Sequence, residues 1–443
     1  MKKVYLETFG CQMNVSDSER VSTVLARDGY EMTNDQLGAD VVIINTCSVR
    51  EKAEHKLYSH VGRLRKKAKL KMPVIGVMGC VAQLEGETLF KKISGVDFVL
   101  GTRAVGRISN AVNETLSGRS GYLDVGERED GYDWTVADTH RHSPYVAFLP
   151  IIEGCNKFCT YCIVPFSRGR ERSLPASDIV RHVLDLRQQG VKEVHLIGQN
   201  VNSYRPETDS GLEKFAGKSA FSKLLRAVAA TGIERIKFTT SFPRDFRDDI
   251  VDAIEEHENL CNWVHLPVQS GSNKVLKAMK RGHTIEKYLA KIDRIKASPR
   301  DIALTTDIIV GFPGESEADF LDTVKMVEYC GFDMAYIFKY SPRPETPAFA
   351  MSDDVSPAEK TLRFMELERA QKCSQDKRLQ RYLNKVLKVL VETGSSRSDS
   401  GLTGHSTCHK IVNFEGSKEM LGQIVDVRIT EIKTNSLFGE VVK

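Results

Sequence analysis

Short apolar runs of strand length alternate with helical stretches along most of this chain, and strands separated by helices must lie parallel, because only a crossover of a dozen or more residues returns the chain to the same end of a sheet. In the first 100 residues the runs are VYLETF (4–9), VVIINT (41–46) and VIGVMG (74–79). Between the first two, SDSERVSTVLARDG predicts a helix with Ser16 or Asp17 as its cap, Val21, Val24 and Leu25 on one face, and Gly29 as its stop. Each strand run is followed at once, or after one glycine, by a cysteine: Cys11, Cys47 and Cys80. The carboxyl ends of an open parallel sheet lie along one edge, where ligands bind, so the three thiols are expected to meet there. The competing reading is three buried structural cysteines.

A second rhythm runs from about 144 to 345. Its strand candidates are YVAFLPII (145–152), VHLIGQN (194–200), IKFTTS (236–241), WVHLPVQ (263–269), ALTTDIIVGF (303–312) and AYIFKYS (335–341), with helical stretches such as SDIVRHVLDLRQQG and ESEADFLDTVKMVEYCG between them. Six βα units without reversal predict a partial or full parallel barrel. The strands begin apolar and finish polar, in Gln199-Asn200, Thr240-Ser241, Gln269-Ser270 and Asp307, as expected if a cavity is lined at the carboxyl-terminal rim. Any one of these residues could equally be an ordinary turn former.

The loop after the first barrel strand reads GCNKFCTYC, with Cys155, Cys159 and Cys162 within nine residues. Tetrahedral zinc sites usually take four protein ligands, and no second pair follows. Three thiolates suit a [4Fe–4S] cluster that keeps one iron without a protein ligand. A zinc knuckle, or a structural cluster in which Phe158 and Tyr161 are packing residues, stays open on the residues alone. At 443 residues the chain is expected to form two or three domains, and with 41% hydrophobic and 28% charged residues each can bury a core. The opening MKKVYLETFG has no apolar stretch of signal-peptide length, and no run of about 18 apolar residues occurs, so a cytoplasmic location is expected and no membrane partner. There, ten clustered cysteines more often bind metal than pair. The formal charge of +4 decides nothing about partners.

The Cys-x-x-x-Cys-x-x-Cys spacing after a first βα-barrel strand resembles the radical S-adenosylmethionine (SAM) superfamily. The stretches ETFGCQMNVSDSE, INTCSVREKAEHKLYSHVGRL, GVMGCVAQ, EGCNKFCTYCIVPFSRGRERS, LIGQNVNSY, HLPVQSGSNKVLKAMKRGHT and DIIVGFPGE, in order along nearly the whole chain, are similar to the methylthiotransferases, specifically the branch acting on isopentenylated adenosine in tRNA. This resemblance implies an α/β chain: an amino-terminal open parallel sheet (1–140), a central radical SAM (β/α) partial barrel (141–375) and a carboxyl-terminal small β-barrel of the TRAM, OB-like kind (376–443). It implies two [4Fe–4S] clusters, one on Cys155, Cys159 and Cys162 that binds SAM and one on Cys11, Cys47 and Cys80 that carries sulfur. Gln199, Asn200, Ser241, Gln269, Ser270 and Asp307 are then candidates for the SAM and adenosine pocket. The implied reaction adds a methylthio group to C2 of N6-isopentenyladenosine beside the anticodon. Cys261, Cys330, Cys373 and Cys408 match no ligand pattern and read as packing or surface residues.

Residues 359–388 carry nine Lys or Arg against four Asp or Glu with helical periodicity, a surplus that suits RNA. The β-rich tail from 389 holds six basic and seven acidic side chains, so any grip on tRNA there would fall to local groups such as Arg397, His405, His409 and Lys410. GRLRKKAKLK (62–71) is either a solvated helix face or a phosphate track. The expected partners are the tRNA anticodon stem-loop and an electron donor such as flavodoxin or ferredoxin, with the chain a monomer. The alternatives are a sister enzyme acting on threonylcarbamoyl adenosine or a ribosomal-protein aspartate, and a non-catalytic, RNA-binding iron–sulfur redox sensor.

Overall fold

The computed structural model describes residues 1–48, 51–67, 72–126, 140–208, 211–394 and 400–442, and of 51–55 and 67 the backbone alone. These residues form two units: Met1–His142 with Phe148–Asn156 and Cys162–Arg172, and Ser143–Ala147 with Lys157–Tyr161 and Ser173–Lys443.

In the first unit, β1 (Lys3–Phe9), α1 (Gln12–Arg27), β2 (Glu31–Met32), β3 (Val41–Thr46), α2 (Glu51–Lys67), β4 (Val74–Gly79), α3 (Cys80–Glu85), α4 (Thr88–Lys92), β5 (Phe98–Leu100), α5 (Ile108–Leu116) and β6 (Tyr122–Asp124) build a six-stranded sheet in the order β2-β1-β3-β4-β5-β6. Every pairing in it is parallel. The sheet has two apolar faces because successive residues of β3 point to opposite sides. Val42 and Ile44 pack with Leu57 and Val61 of α2, whereas Val41 and Ile43 pack with Val21 and Leu25 of α1 and Ile108 of α5. Each such fully buried branched side chain contributes roughly 1.5–3 kcal/mol. Gly76 in β4 makes room for the ring of Phe98, since a Cβ there would stand 1.9 Å from Phe98 Cζ.

The strand predictions at 41–46 and 74–79 match β3 and β4 to the residue. The helix cap does not match. Helix α1 begins at Gln12 with Cys11 as its N-cap, and Ser16 and Asp17 lie buried inside it. The reason is Asn14, whose Oδ1 accepts the Cys11 N–H at 3.3 Å and lets the helix start straight after the strand.

The second rhythm opens with β7 (Val146–Pro150), β8 (Ile152–Glu153), α6 (Val164–Arg168) and β9 (Arg172–Ser173). The second unit continues with α7 (Ala176–Gln188), β10 (Glu193–Ile197), α8 (Ala220–Ala229), β11 (Arg235–Phe238), α9 (Asp248–Glu256), β12 (Trp263–His265), α10 (Asn273–Ala278), α11 (Ile285–Lys296), β13 (Ala303–Val310), α12 (Glu317–Cys330) and β14 (Met334–Lys339). Strand β10 pairs parallel with β11, β13 pairs parallel with β12 and β14, and a parallel bridge joins Ile236 to Leu260, while β7 lies beside β10 in the strand order β11-β10-β7. This is a partial barrel in chain order. Helix α13 (Pro357–Gln380) then leads to β15 (Val386–Gly394), β16 (Gly401–Ser406), β17 (Ile411–Glu415), β18 (Ile424–Ile432) and β19 (Leu437–Val441), a closed barrel in the order β15-β16-β17-β19-β18. The core of that barrel, with Val389, Leu402, Val412 and Val427, also takes in Ala303 of β13, Leu379 of α13 and Tyr382, so small barrel and partial barrel share one apolar cluster.

Candidate active site

Sheet register assembles the amino-terminal triad. Phe9 pairs with Thr46, and Thr46 with Gly79, so three adjacent strands end level. Cys47 and Cys80 follow one residue later and Cys11 two. Cys47 and Cys80 are buried and Cys11 is partly exposed. A hydrogen bond with Cys47 lowers the Cys11 thiol below the ordinary range, burial opposes this, and the Arg168 charge adds to it. Burial raises Cys80, and Arg168 counteracts that. Gly79 has φ +97°, and a Cβ there would stand 2.3 Å from Asn45 Oδ1, so glycine alone lets β4 turn directly into α3 and deliver Cys80. Asn14 ties the edge together: its Nδ2 donates to Asn45 Oδ1 at 3.0 Å and to the Thr46 carbonyl at 3.2 Å, and its Oδ1 lies 3.3 Å from Cys11 Sγ. Arg168, buried in the same unit, donates to Asp17 at 2.7 Å and to Glu153 at 3.0 Å.

The central cysteines divide between the units, with Cys155 and Cys162 in the first and Cys159 in the second. In the first, Gly154 has φ +78° and a Cβ would stand 2.1 Å from the Arg170 carbonyl oxygen, while the Cys155 N–H donates to the Gly169 carbonyl at 3.1 Å. In the second, Phe158 bends the loop through φ +47° and is half exposed. Thr160 then pins it, donating from N to Met279 at 3.1 Å and from Oγ1 to Ala278 at 3.0 Å. Cys159 is buried, and Arg281 Nη1 lies 3.5 Å from its sulfur and 3.4 Å from Tyr161 Oη, while Nη2 donates to the Pro267 carbonyl at 2.6 Å. Tyr161 packs edge-on against Phe312.

The six pocket candidates all lie in the second unit, and their roles differ. Asn200 and Ser241 are buried just beyond β10 and β11, and Asn200 Oδ1 and Ser241 Oγ have no hydrogen-bond partner among the described residues. Gln199 stands beside Asn200 and is partly exposed. Gln269 has φ +78° and Thr240 φ +67°, left-handed backbone at two successive strand ends, a conformation that costs non-glycine residues about 1–3 kcal/mol and concentrates at functional sites. Ser270 faces away toward α12, 3.3 Å from Thr323 Oγ1 and accepting from the Ser272 N–H at 3.2 Å. Asp307 sits within β13 rather than at its end, and its Oδ2 is 3.5 Å from His265 Nε2.

Arg281 and His283 were not singled out from sequence, although both lie in the quoted KRGHT. They follow a helix, and a rule that inspects strand ends passes over them. Burial, then the Arg281 charge, lowers His283 to about 4, so its ring is neutral. Nδ1 faces the Arg281 carbonyl at 3.2 Å and carries the hydrogen, which leaves the buried Nε2 lone pair without a partner among the described residues.

Three groups expected to face RNA face inward instead. His405 is buried with Nε2 3.0 Å from Glu193, His409 Nε2 is 3.0 Å from the same carboxylate, and Lys410 Nζ is 3.3 Å from Asp333. The acidic partners that draw them in belong to the partial barrel, Glu193 on β10 and Asp333 immediately before β14. Arg397 lies outside the described residues. In the basic stretch, Lys360, Arg363, Arg378 and Arg381 are held by Asp353, Glu315, Asp301 and Asp333, whereas Arg369, Lys372, Lys377, Lys385 and Lys388 are exposed. Arg63, Arg65 and Lys66 on α2 are exposed too. Of the unassigned cysteines, Cys261, Cys330 and Cys408 are buried and Cys373 is exposed.

A parallel partial barrel with a three-cysteine loop after its first strand is the architecture of radical SAM enzymes. Residues 149–327 match the Radical SAM superfamily, residues 3–101 the Uncharacterized protein family UPF0004 and residues 380–442 the TRAM domain. The radical SAM methyltransferase TsrM of Kitasatospora setae, solved with tryptophan and a SAM analogue, has the same fold at TM-score 0.57 and 12% identity over 79% of this chain and 75% of that one. Among curated proteins, the tRNA-2-methylthio-N(6)-dimethylallyladenosine synthases of Serratia proteamaculans and of Haemophilus influenzae (strain PittEE) are 44% and 43% identical, each over 100% of this chain and 93% of its own length. The chain belongs to the tRNA-2-methylthio-N(6)-dimethylallyladenosine synthase family.

Proposed function

We infer that this chain is a radical SAM methylthiotransferase that converts N6-dimethylallyladenosine in tRNA to its 2-methylthio derivative. The observation that carries the reading is the convergence of Cys11, Cys47 and Cys80 at one sheet edge by strand register, in a chain that also holds the Cys155-Cys159-Cys162 loop. A SAM-cleaving fold needs only the loop; a second open triad of thiols is what sulfur attachment adds.

The donor sets fit two [4Fe–4S] clusters: each offers three thiols and no fourth, which leaves one iron open. When bound, these groups supply reductive cleavage of SAM and a carrier for the sulfur. The protein's part is positioning. Asn14 and Gly79 set the edge on which the first triad sits, and the Arg168 guanidinium offsets negative charge gathered on its thiolates. Arg281 holds Cys159 and Tyr161 in place. Asn200 Oδ1, Ser241 Oγ and His283 Nε2 offer buried polar atoms for SAM or the adenine, beside Gln199, Gln269 and Asp307; Ser270 supports α12. The exposed Arg369, Lys372, Lys377, Lys385 and Lys388 track tRNA phosphates. A small electron carrier of the flavodoxin or ferredoxin kind delivers the electron. No described helix is long and apolar enough to cross a membrane. The reading has the chain act on tRNA in the cytoplasm, as a monomer.

The test is anaerobic reconstitution, incubation with SAM, a reductant and isopentenylated tRNA, and mass spectrometry of the nucleosides. We expect 2-methylthio-N6-dimethylallyladenosine. Methylthiolation of threonylcarbamoyl adenosine instead would move the chain to the sister branch, and SAM turnover with neither product would refute the sulfur-transfer reading.

A further inference from the structure

Outside both cysteine triads, the second unit holds a cluster that the proposed reaction does not use. Glu193 and His195 stand two apart on β10 and so share one face of the strand. His405 lies near the end of β16, and His409 follows in the turn after it. The four offer one ligand atom each, all within 4.8 Å of one another. Their arrangement is convergent: the Nε2 atoms of His195, His405 and His409 lie 2.5, 3.0 and 3.0 Å from Glu193 carboxylate oxygens.

From this geometry we propose that Glu193, His195, His405 and His409 form a structural divalent-cation site, suited to Zn²⁺, that staples the carboxyl-terminal small barrel to strand β10 of the partial barrel.

Imidazole nitrogen and carboxylate oxygen are both zinc donors, with bonds of about 2.0–2.2 Å, and four protein ligands make a closed, four-coordinate set with no position left for a reactant. One of the three histidines is oriented as metal-bound histidines usually are. His405 Nδ1 is hydrogen-bonded to Glu392, which fixes the hydrogen on Nδ1 and turns the Nε2 lone pair inward. His405 and His409 stack at 4.4 Å, and His195 meets His409 edge-on at 5.3 Å, so the rings brace one another. His409 sits at φ +55°, in a turn closed by its N–H to the Ser406 carbonyl at 2.9 Å; a non-glycine residue held left-handed is strain the surroundings must maintain. Arg235 lies 3.6 Å from Glu193 Oε2 but spends its hydrogen bonds on the carbonyls of His405 and Lys388, at 2.8 and 2.7 Å. Lys237 stacks over Trp263 at 4.1 Å. Two carboxylates, Glu193 and Glu392, thus face Arg235, Lys237 and the incoming cation. The site is separate from the iron chemistry: none of its ligands is a cysteine.

Iron is loaded first, so that the six cysteines are occupied. The full-length holoprotein is then equilibrated with micromolar Zn²⁺, desalted, and measured by inductively coupled plasma mass spectrometry and zinc-edge X-ray absorption. We expect about one zinc per chain, with a nitrogen and oxygen shell near ~2.0 Å and no sulfur at ~2.3 Å. His409→Asn and His405→Ala should lose the zinc and keep their iron. A wild-type holoprotein that retains no zinc, or a sulfur shell, overturns the site whatever the variants do, and retention of zinc by folded variants does the same. In the zinc-free outcome the cluster is a buried carboxylate held by protonated histidine alone.

Discussion

The two cysteine triads are built by opposite means. Cys11, Cys47 and Cys80 are far apart in the chain and are brought level by the pairing of β1, β3 and β4. Cys155, Cys159 and Cys162 are neighbours in the chain, and their loop is shaped locally, by glycine at 154 and a left-handed Phe158. A site made by register depends on the whole sheet core beneath it. A site made by a loop depends on a few backbone torsions and on whatever reaches it, here Arg281.

The largest expected effect separates the triads by reaction. Replacing Cys155, Cys159 and Cys162 with Ala should abolish 5'-deoxyadenosine formation from SAM, measured by liquid chromatography and mass spectrometry. Replacing Cys11, Cys47 and Cys80 should leave that cleavage in place and abolish the methylthio product. Product from a folded variant lacking the first triad would remove the sulfur-carrying role.

Next comes iron content. The wild type should take up about eight irons per chain, and Gly79→Ala about four, because a Cβ at that backbone collides with Asn45 and displaces Cys80. Gly154→Ala should lose the other four by the corresponding clash with Arg170. Full iron loading in Gly79→Ala would show that the sheet edge tolerates a shifted strand end.

Arg281→Met is expected to slow SAM cleavage by roughly 10–100-fold without changing iron content, as loss of an outer-sphere partner does, with Arg281→Lys recovering part of it. An unchanged rate would mean the loop holds Cys159 unaided.

A smaller effect concerns RNA. Lys372→Ala, Lys377→Ala, Lys385→Ala and Lys388→Ala together should weaken tRNA binding and flatten its salt dependence by up to about four phosphate contacts, while SAM cleavage is untouched. These substitutions are cleaner than removing the tail, since Leu379, Tyr382 and Ala303 share the small barrel's core and truncation would open it. An unchanged salt slope would place the RNA surface elsewhere, with the basic face of α2 as the next candidate.

The smallest effect is a control: exposed Cys373→Ser should alter neither iron content nor activity. Any loss of iron would show that a seventh thiol takes part.

Much of the fold was legible because it is written in local periods. Strands β3 and β4 were readable to the residue, since a run buried on both faces is uninterrupted and ends in glycine, threonine or cysteine. The polar stops after β10 and β11 fall on Asn200 and Ser241, which are buried and whose Oδ1 and Oγ have no hydrogen-bond partner among the described residues. Ser270 Oγ lies 3.3 Å from Thr323 Oγ1, and Asp307 lies within β13 rather than at its end, placements that a strand-end pattern does not specify.

By itself the sequence determined the two αβ rhythms, the cysteines that follow them and the β-rich tail, because hydrophobic period and ligand spacing are properties of neighbouring residues. Only the tertiary structure decided that Cys11 rather than Ser16 or Asp17 caps α1, that Arg281 reaches Cys159, and that His405, His409 and Lys410 turn inward to Glu193 and Asp333. Each of these depends on a partner distant in the chain. Which partner a long polar side chain meets is set by the packing of elements against one another, and a local pattern carries no record of that.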